Sequence, residues 1–484
     1  MTGWHAFFVV VAIISIAYFA ALNGLYLVFT VLATRSVGDH LRRRTYGTLE
    51  EAFSSPFTPG ITVIMPAFNE AAGVVESVRS LLDLRYPRYE LIVVNDGSTD
   101  DTLARLAGAF ELAPAVRALR DQLPTGPVRG SYTSRRHPEL CVLDKENGGK
   151  ADALNAGLNA ARYGYVCSLD ADALIEPDAL LQVAAPILED PEHVVAAGGI
   201  VRIANGCTID HGRITEIRLP RSRLATLQVI EYFRAFLIGR VGWTRLNALL
   251  IISGAFALYL REPLEDAGGY WPESSGEDVE VVVRLHQYFR DRKLPYRMVF
   301  VPDPVCWTEV PEDMRSLGTQ RRRWHRAVGQ TLLRHWRAIG RPRYGAFGML
   351  ALPYFLFFEF LGPLVEILGP VIIILAAATG QLSVLFLVAF LVIAFGVGIL
   401  LTLAALALEE FNFRRHRRGR DIARMMLYAV LENIGFRQVN DFWRTIVMID
   451  VLRGKGGWGA QRRRGIGRPA AAAPGPAGSA RGRS

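Results

Sequence analysis

Apolar residues along this chain fall into three regimes, and each predicts a different kind of element. From Ala6 to Thr34 no Asp, Glu, Lys or Arg interrupts the apolar pattern. As a helix the stretch is roughly 43 Å long, ample for one membrane span. The residues before it carry no Lys or Arg and no small-residue cleavage site follows, so it reads as a retained anchor. A second uncharged run, Ile367 to Leu408, is roughly 63 Å as helix, too long for one crossing. Thr379-Gly380-Gln381 is the natural break, which predicts a helical hairpin of about 348–378 and 382–408.

Between these two regimes the apolar runs are short. Ile61 to Met65, Leu91 to Val94 and Tyr165 to Leu169 read as buried strands, and helical periodicity follows at Val74 to Leu84 and Lys150 to Arg162. Strand followed by helix, repeated, predicts an α/β domain with a mainly parallel sheet covered on both faces. Leu123 to Glu139, rich in Pro and Gly, reads as an exposed loop. Ile422 to Leu452 is apolar but broken by Arg424, Glu432, Arg437, Asp441, Arg444 and Asp450, which fits interfacial or re-entrant helices. The expected organisation is an anchor over 1–45, a globular domain over 46–312 and an amphipathic interface helix over 313–346. A membrane hairpin over 347–410, interfacial helices over 411–460 and a disordered basic tail over 461–484 complete it.

Composition sharpens this picture. Of 484 residues 51% are hydrophobic and 21% charged, with the apolar excess concentrated in the long runs, which excludes an ordinary soluble enzyme. The net charge of +9 sits beside those runs, at Arg35, Arg42 to Arg44, Arg341, Arg343, Arg414, Arg415, Arg417 and Arg418. That placement marks the cytosolic side of a membrane and predicts three spans, with the N-terminus outside and the C-terminus inside. No groove-binding motif accompanies the charge, so nucleic acid is not an expected partner. Only four of 55 basic residues are Lys, and two of them, Lys145 and Lys150, lie within six positions. The four cysteines form no CxxC, which fits a reducing compartment.

Candidate chemistry clusters where strands end, because ligands bind at the carboxyl ends of parallel strands. The first strand runs into Pro66-Ala67-Phe68-Asn69-Glu70, and the second into Asn95-Asp96-Gly97-Ser98. Gly148-Gly149-Lys150 opens a helix, where backbone and ammonium together suit an anion. Asp170-Ala171-Asp172 follows a buried strand, so two carboxylates can converge on Mg²⁺ or Mn²⁺ facing a diphosphate. Gly276-Glu277-Asp278 precedes a helical pattern and offers a general base. Gln320-Arg321-Arg322-Arg323-Trp324 lies on a basic helix just before the membrane hairpin.

These six elements, in this order, resemble the membrane-bound family 2 glycosyltransferases that make β-linked polysaccharides: cellulose, chitin, hyaluronan and poly-N-acetylglucosamine synthases. The resemblance runs from about Ile61 to Trp324, and loosely to Trp458. It implies a GT-A (Rossmann-like) catalytic domain that transfers a sugar from a UDP-sugar, UDP-N-acetylglucosamine or UDP-glucose, with inversion at the cytoplasmic face. It further implies Pro66, Asn69, Glu70, Asp96, Lys150, Asp170 and Asp172 around the nucleotide-sugar, and Asp170 and Asp172 on the metal. Asp278 would be the base, and Gln320, Arg323 and Trp324 would border the acceptor and pyrophosphate. The Gly-Glu-Asp motif departs from the Thr-Glu-Asp of cellulose synthases and the Gly-Asp-Asp of hyaluronan synthases. Cys306-Trp307-Thr308-Glu309 and the three-span layout look most similar to the poly-N-acetylglucosamine branch. The expected partners are a UDP-sugar, a growing polysaccharide or lipid acceptor, and membrane lipids.

Two alternatives belong beside this reading. A non-processive transferase would add one sugar to a membrane lipid, and a channel without catalysis would leave the acidic motifs unexplained. Glu359 and Glu366 lie inside the second span, seven apart, which predicts one polar helix face toward an exit path for the product. Pro353, Pro363 and Pro370 are expected to kink that helix.

Overall fold

A computed structural model describes residues 3–46, 58–210, 212–413 and 419–453. The tail over 461–484 and the arginines from Arg414 to Arg418 lie outside these residues. In chain order the strands are β1 (Ile61–Ala67), β2 (Tyr89–Asp96), β3 (Leu112–Pro114), β4 (Val128–Ser134), β5 (Leu140–Lys145) and β6 (Tyr165–Leu169). They continue as β7 (Leu174–Ile175), β8 (Val194–Ile203), β9 (Thr208–Asp210), β10 (Arg213–Glu216), β11 (Phe256–Leu260) and β12 (Arg297–Thr308).

Among the described residues, ten strands form one sheet in the order β3-β4-β5-β2-β1-β6-β11-β8-β12-β7, while β9 and β10 form a separate hairpin. The strands β5, β2, β1 and β6 are parallel neighbours, as the buried, largely apolar runs of β1, β2 and β6 predict. The rest of the sheet departs from a mainly parallel arrangement. β11 runs antiparallel between β6 and β8, and β4 runs antiparallel to β5. β4 lies inside the segment expected to be a loop. Its sequence Val-Arg-Gly-Ser-Tyr-Thr-Ser is half-exposed near the sheet edge, so pairing with β5 makes it a strand without a buried apolar run.

The N-terminal helix, Gly3–Tyr46, packs along the globular domain. Phe29, Ala33 and Val37 are buried in the main core, and His40 pairs with Asp303 at 2.5 Å. Arg245 fixes the same helix through Asp39 at 2.8 Å. Anchor and globular domain are therefore one packed body.

Two helices, Ala6–Arg42 and Val384–Phe411, are long and apolar enough to cross a membrane. The pair Phe347–Phe360 and Gly362–Ala378 would make a third if the two act as one span, bent by 48°. The bend falls just before Pro363, where the ring disfavours helical geometry in the preceding residue. Because of it, Glu359 and Glu366 stand on two helices rather than one continuous face. Leu368, Val371, Ile374, Val384 and Leu385 project outward, each more than half exposed, as lipid-facing side chains do. The helix Arg437–Leu452 packs across the interface helix Met314–Arg334, where Trp443 lies against Gly318.

Candidate active site

One large cavity, about 2750 Å³, opens at the carboxyl ends of β1, β2 and β6 and continues between the helices at the membrane side. Pro66, Asn69, Glu70, Asp96, Lys150, Asp170, Asp172, Asp278, Gln320, Arg323 and Trp324 all line it, so the fold brings every sequence-predicted site residue to one space. Their roles within it differ.

Asp96, at the end of β2, is committed to the neighbouring loop. Its carboxylate accepts from Lys145 Nζ (2.9 Å), Gly148 N (3.0 Å), Gly149 N (2.8 Å) and Asn147 Nδ2 (3.2 Å). Gly149 sits at φ 88°, a left-handed geometry that glycine adopts without strain, and this aims its N–H at Asp96. Asp96 therefore organises the glycine loop in this structure. Asn69, at φ 56°, likewise uses its Oδ1 to accept from Thr99 N (2.8 Å), tying the first strand end to the second.

Lys150, at the first turn of the helix Lys150–Ala160, bridges Asp170 (2.7 Å) and Glu277 (2.7 Å). Burial works against its charge, but Asp170, Glu277 and Asp278 outweigh that and hold its pKa above the usual lysine range. Glu277 is thereby pinned. Asp278 is different: among the described residues it accepts no hydrogen bond and forms no ion pair, and it faces the cavity beside Gly254. Burial, then the charge of Glu277, pushes its carboxyl above the usual range, with Lys150 opposing. A carboxylate left unpaired and made more basic is what proton abstraction needs.

The glycine of Gly276-Glu277-Asp278 also has a physical reason. A Cβ there would lie 2.3 Å from the Ala327 Cβ on the interface helix. This motif and the helix that carries Gln320 to Trp324 are thus in direct contact. On that helix Arg321 pairs with both carboxylate oxygens of Glu231 (2.7 and 2.6 Å) and stacks over Trp324 at 4.7 Å. Trp324 remains exposed toward the cavity, and the Gln320 side chain is buried with Oε1 unpartnered.

Asp170 and Asp172 suit a hard divalent cation by their oxygen donors. Among the described residues no group of three or more His, Cys, Asp or Glu side chains is arranged around a metal position. Two carboxylates fit an ion such as Mg²⁺ that completes its shell with substrate oxygens and water.

Residues 62–268 match Glycosyl transferase family 2. This segment is a family 2 glycosyltransferase domain. The mixed sheet, with β5, β2, β1 and β6 running parallel, is its GT-A fold. The poly-beta-1,6-N-acetyl-D-glucosamine synthase of Staphylococcus epidermidis is 30% identical over 284 residues, 58% of this chain and 57% of that protein. The enzyme of the same description from Staphylococcus aureus (strain COL) is 30% identical over 278 residues, 57% of this chain and 56% of that one. The chain thus spans little more than half the length of these curated relatives. Among solved structures, a mannosyltransferase from Pyrobaculum calidifontis in complex with GDP-Man and Mn²⁺ is similar at 20% identity and TM-score 0.48, covering 90% of this chain and 100% of that one.

Two features of the glycosyltransferase domain were not picked out as site residues from its sequence. Lys145 is fully buried and holds Asp96 and Asp152 together; the scarcity of lysine was the available signal. Arg240 lines the cavity at the end of the stretch Phe233–Arg240, and a charge following the apolar run Phe236-Leu237-Ile238-Gly239 could have flagged it.

At the membrane end of the cavity Glu366 binds Arg437 Nε (2.6 Å) and Nη2 (2.9 Å), and accepts from the Tyr18 hydroxyl (2.8 Å). Glu359 pairs with Arg444 at 3.0 Å. Both carboxylates do line the cavity, but through ion pairs that join the bent helix to the helix Arg437–Leu452. Glu366→Leu should therefore destabilise the protein by about 3 kcal/mol, because it leaves Arg437 buried with less compensation. The double variant Glu366→Leu/Arg437→Leu should recover most of that in thermal unfolding in detergent. Equal losses in the single and double variants would contradict the pairing.

Proposed function

We propose that this protein is an inverting glycosyltransferase that extends a β-linked polysaccharide from UDP-N-acetylglucosamine at the cytoplasmic face of a membrane, with the product passing between its helices. The observation that carries this reading is the single cavity. It joins the unpaired Asp278, the Lys150 cluster and Trp324 to a polar lining between the apolar helices. The likeness to poly-beta-1,6-N-acetyl-D-glucosamine synthases supports the donor and the polymer. A multi-pass topology with the N-terminus outside follows from the arginines flanking the apolar runs.

In the proposed mechanism Asp278 takes the proton of an acceptor hydroxyl, and the oxygen attacks the anomeric carbon opposite the departing UDP. Lys150 and Arg323 supply positive charge toward the diphosphate. Trp324 offers its face to a sugar ring. A divalent cation held by Asp170 and Asp172 would neutralise the leaving group. The charged lining of Glu359, Glu366, Arg437, Asp441 and Arg444 suits a hydroxyl-rich chain better than a lipid tail.

EDTA should abolish transfer from UDP-N-acetylglucosamine, and Mg²⁺ or Mn²⁺ should restore it, followed by UDP release. Full activity in EDTA would remove Asp170 and Asp172 from the metal role.

A further inference from the structure

The interface helix Met314–Arg334 hands over to the bent apolar pair, which begins at Phe347, through the turn Trp336–Ala338 and the segment 339–346. That connection is folded back on the apolar helix. The Gly340 N–H donates to the Gly348 carbonyl at 2.8 Å, and a Cβ on Gly348 would lie 2.8 Å from the Arg341 carbonyl oxygen. Large apolar side chains stay exposed on both sides of this contact. Leu333 and Trp336 precede it, Met349 and Leu350 follow it, and Trp336 is 61% exposed. Exposed apolar positions continue into the span at Phe357.

Two arginines are exposed within the same connection, Arg337 and Arg341. Their neighbours are already engaged: Arg334 stacks over the Trp271 ring at 3.6 Å, and Arg343 pairs with Asp291 at 2.8 Å. Among the described residues neither Arg337 nor Arg341 forms an ion pair, and Arg337 lies 5.7 Å from the centre of the Trp336 ring. Water does not favour a contiguous apolar surface of this kind, whereas acyl chains do. A tryptophan beside uncompensated arginines, where a span begins, has the chemistry of the headgroup level of a bilayer. A zwitterionic headgroup brings a cation with its phosphate, so a net anionic headgroup complements the two guanidinium groups better.

We propose that the connection between the interface helix and the bent span is a contact surface for anionic phospholipid of the cytosolic leaflet. Arg337 and Arg341 draw anionic headgroups to it, Trp336 sits at the headgroup boundary, and Leu333, Met349 and Leu350 meet acyl chains. The inference rests on the membrane topology within the function proposed above and not on the reaction, so loss of sugar transfer would leave it untouched.

Full-length protein would be placed in lipid nanodiscs of equimolar phosphatidylcholine and phosphatidylglycerol, with one lipid or the other brominated on its acyl chains. Bromine quenches tryptophan fluorescence on contact, and the difference between the wild type and Trp336→Phe isolates Trp336 among the eight tryptophans. Brominated phosphatidylglycerol should quench Trp336 more strongly, by an amount that corresponds to a preference of about fivefold to tenfold, and the excess should fade in about 0.5 M salt. Arg337→Gln/Arg341→Gln should bring the two lipids to equal quenching. Each single variant should fall between, and these carry the test if the double variant does not fold. Equal quenching in the wild type, or a wild-type preference in the folded double variant, would overturn the inference and leave the topology standing. Quenching by neither lipid would overturn both, because Trp336 would then lie away from the bilayer.

Discussion

Asp278→Asn is expected to lower turnover by about two to four orders of magnitude while leaving UDP affinity nearly unchanged. The amide keeps the shape of the side chain but cannot accept the acceptor's proton. Glu277→Gln should be the milder variant, because Glu277 is bound to Lys150 at 2.7 Å and is not presented to an acceptor. The pH profile follows from the raised pKa of Asp278. Activity needs the ionised form, so it should fall as pH drops through a value above the usual carboxylate range. Stability has the opposite sign. A raised pKa means that the stability associated with protonation is present below the unfolded value and lost as pH rises through the folded one. Asp278→Asn removes that loss, so at neutral pH it should unfold at the same temperature as the wild type or higher. Retained turnover in Asp278→Asn with a dead Glu277→Gln would mean the wrong carboxylate has been assigned.

Lys145→Met should be the most damaging substitution for the fold of the catalytic domain. The ammonium is fully buried and binds Asp96 at 2.9 Å and Asp152 directly. Methionine leaves two buried carboxylates without their cation, a loss of about 3–5 kcal/mol, or roughly 10 °C in unfolding temperature. Donor affinity should fall as well, because Asp96 holds the N–H groups of Gly148 and Gly149 in place. Adding Asp152→Asn should restore part of the stability by removing one unpaired charge. Thermal unfolding and UDP titration of the three proteins check both effects. A Lys145→Met protein with wild-type stability would show that the triad contributes little.

The parallel strands were legible because β1, β2 and β6 carry short, buried, largely apolar runs, and each is followed by polar residues that the fold delivers to one crevice. The antiparallel strands β4 and β11 were not. β4 is half-exposed and small-residue rich, and β11 owes its direction to neighbours at β6 and β8 that its own pattern does not encode. Within the site, residue types and order pointed to side chains that the fold gathers in one cavity, but not to their hydrogen-bond partners. Nothing local says that Asp96 is caged by the loop after β5, or that Glu277 is held while Asp278 is open. The membrane carboxylates show the same limit. Glu359 and Glu366 were visible as costly charges, yet their partners Arg444 and Arg437 come from a helix 85 and 71 residues away. Long-range ion pairs of this kind leave no periodic trace.

Transfer from a UDP-sugar into a long polymer can be read from the product itself. Membranes containing the protein, incubated separately with each radiolabelled UDP-sugar and Mg²⁺ and then sized for product, test it most directly. UDP-N-acetylglucosamine should yield UDP and labelled high-molecular-weight β-linked polymer, and Asp278→Asn should yield neither. Label appearing only as a single sugar on lipid, or no UDP release from any UDP-sugar, would contradict it.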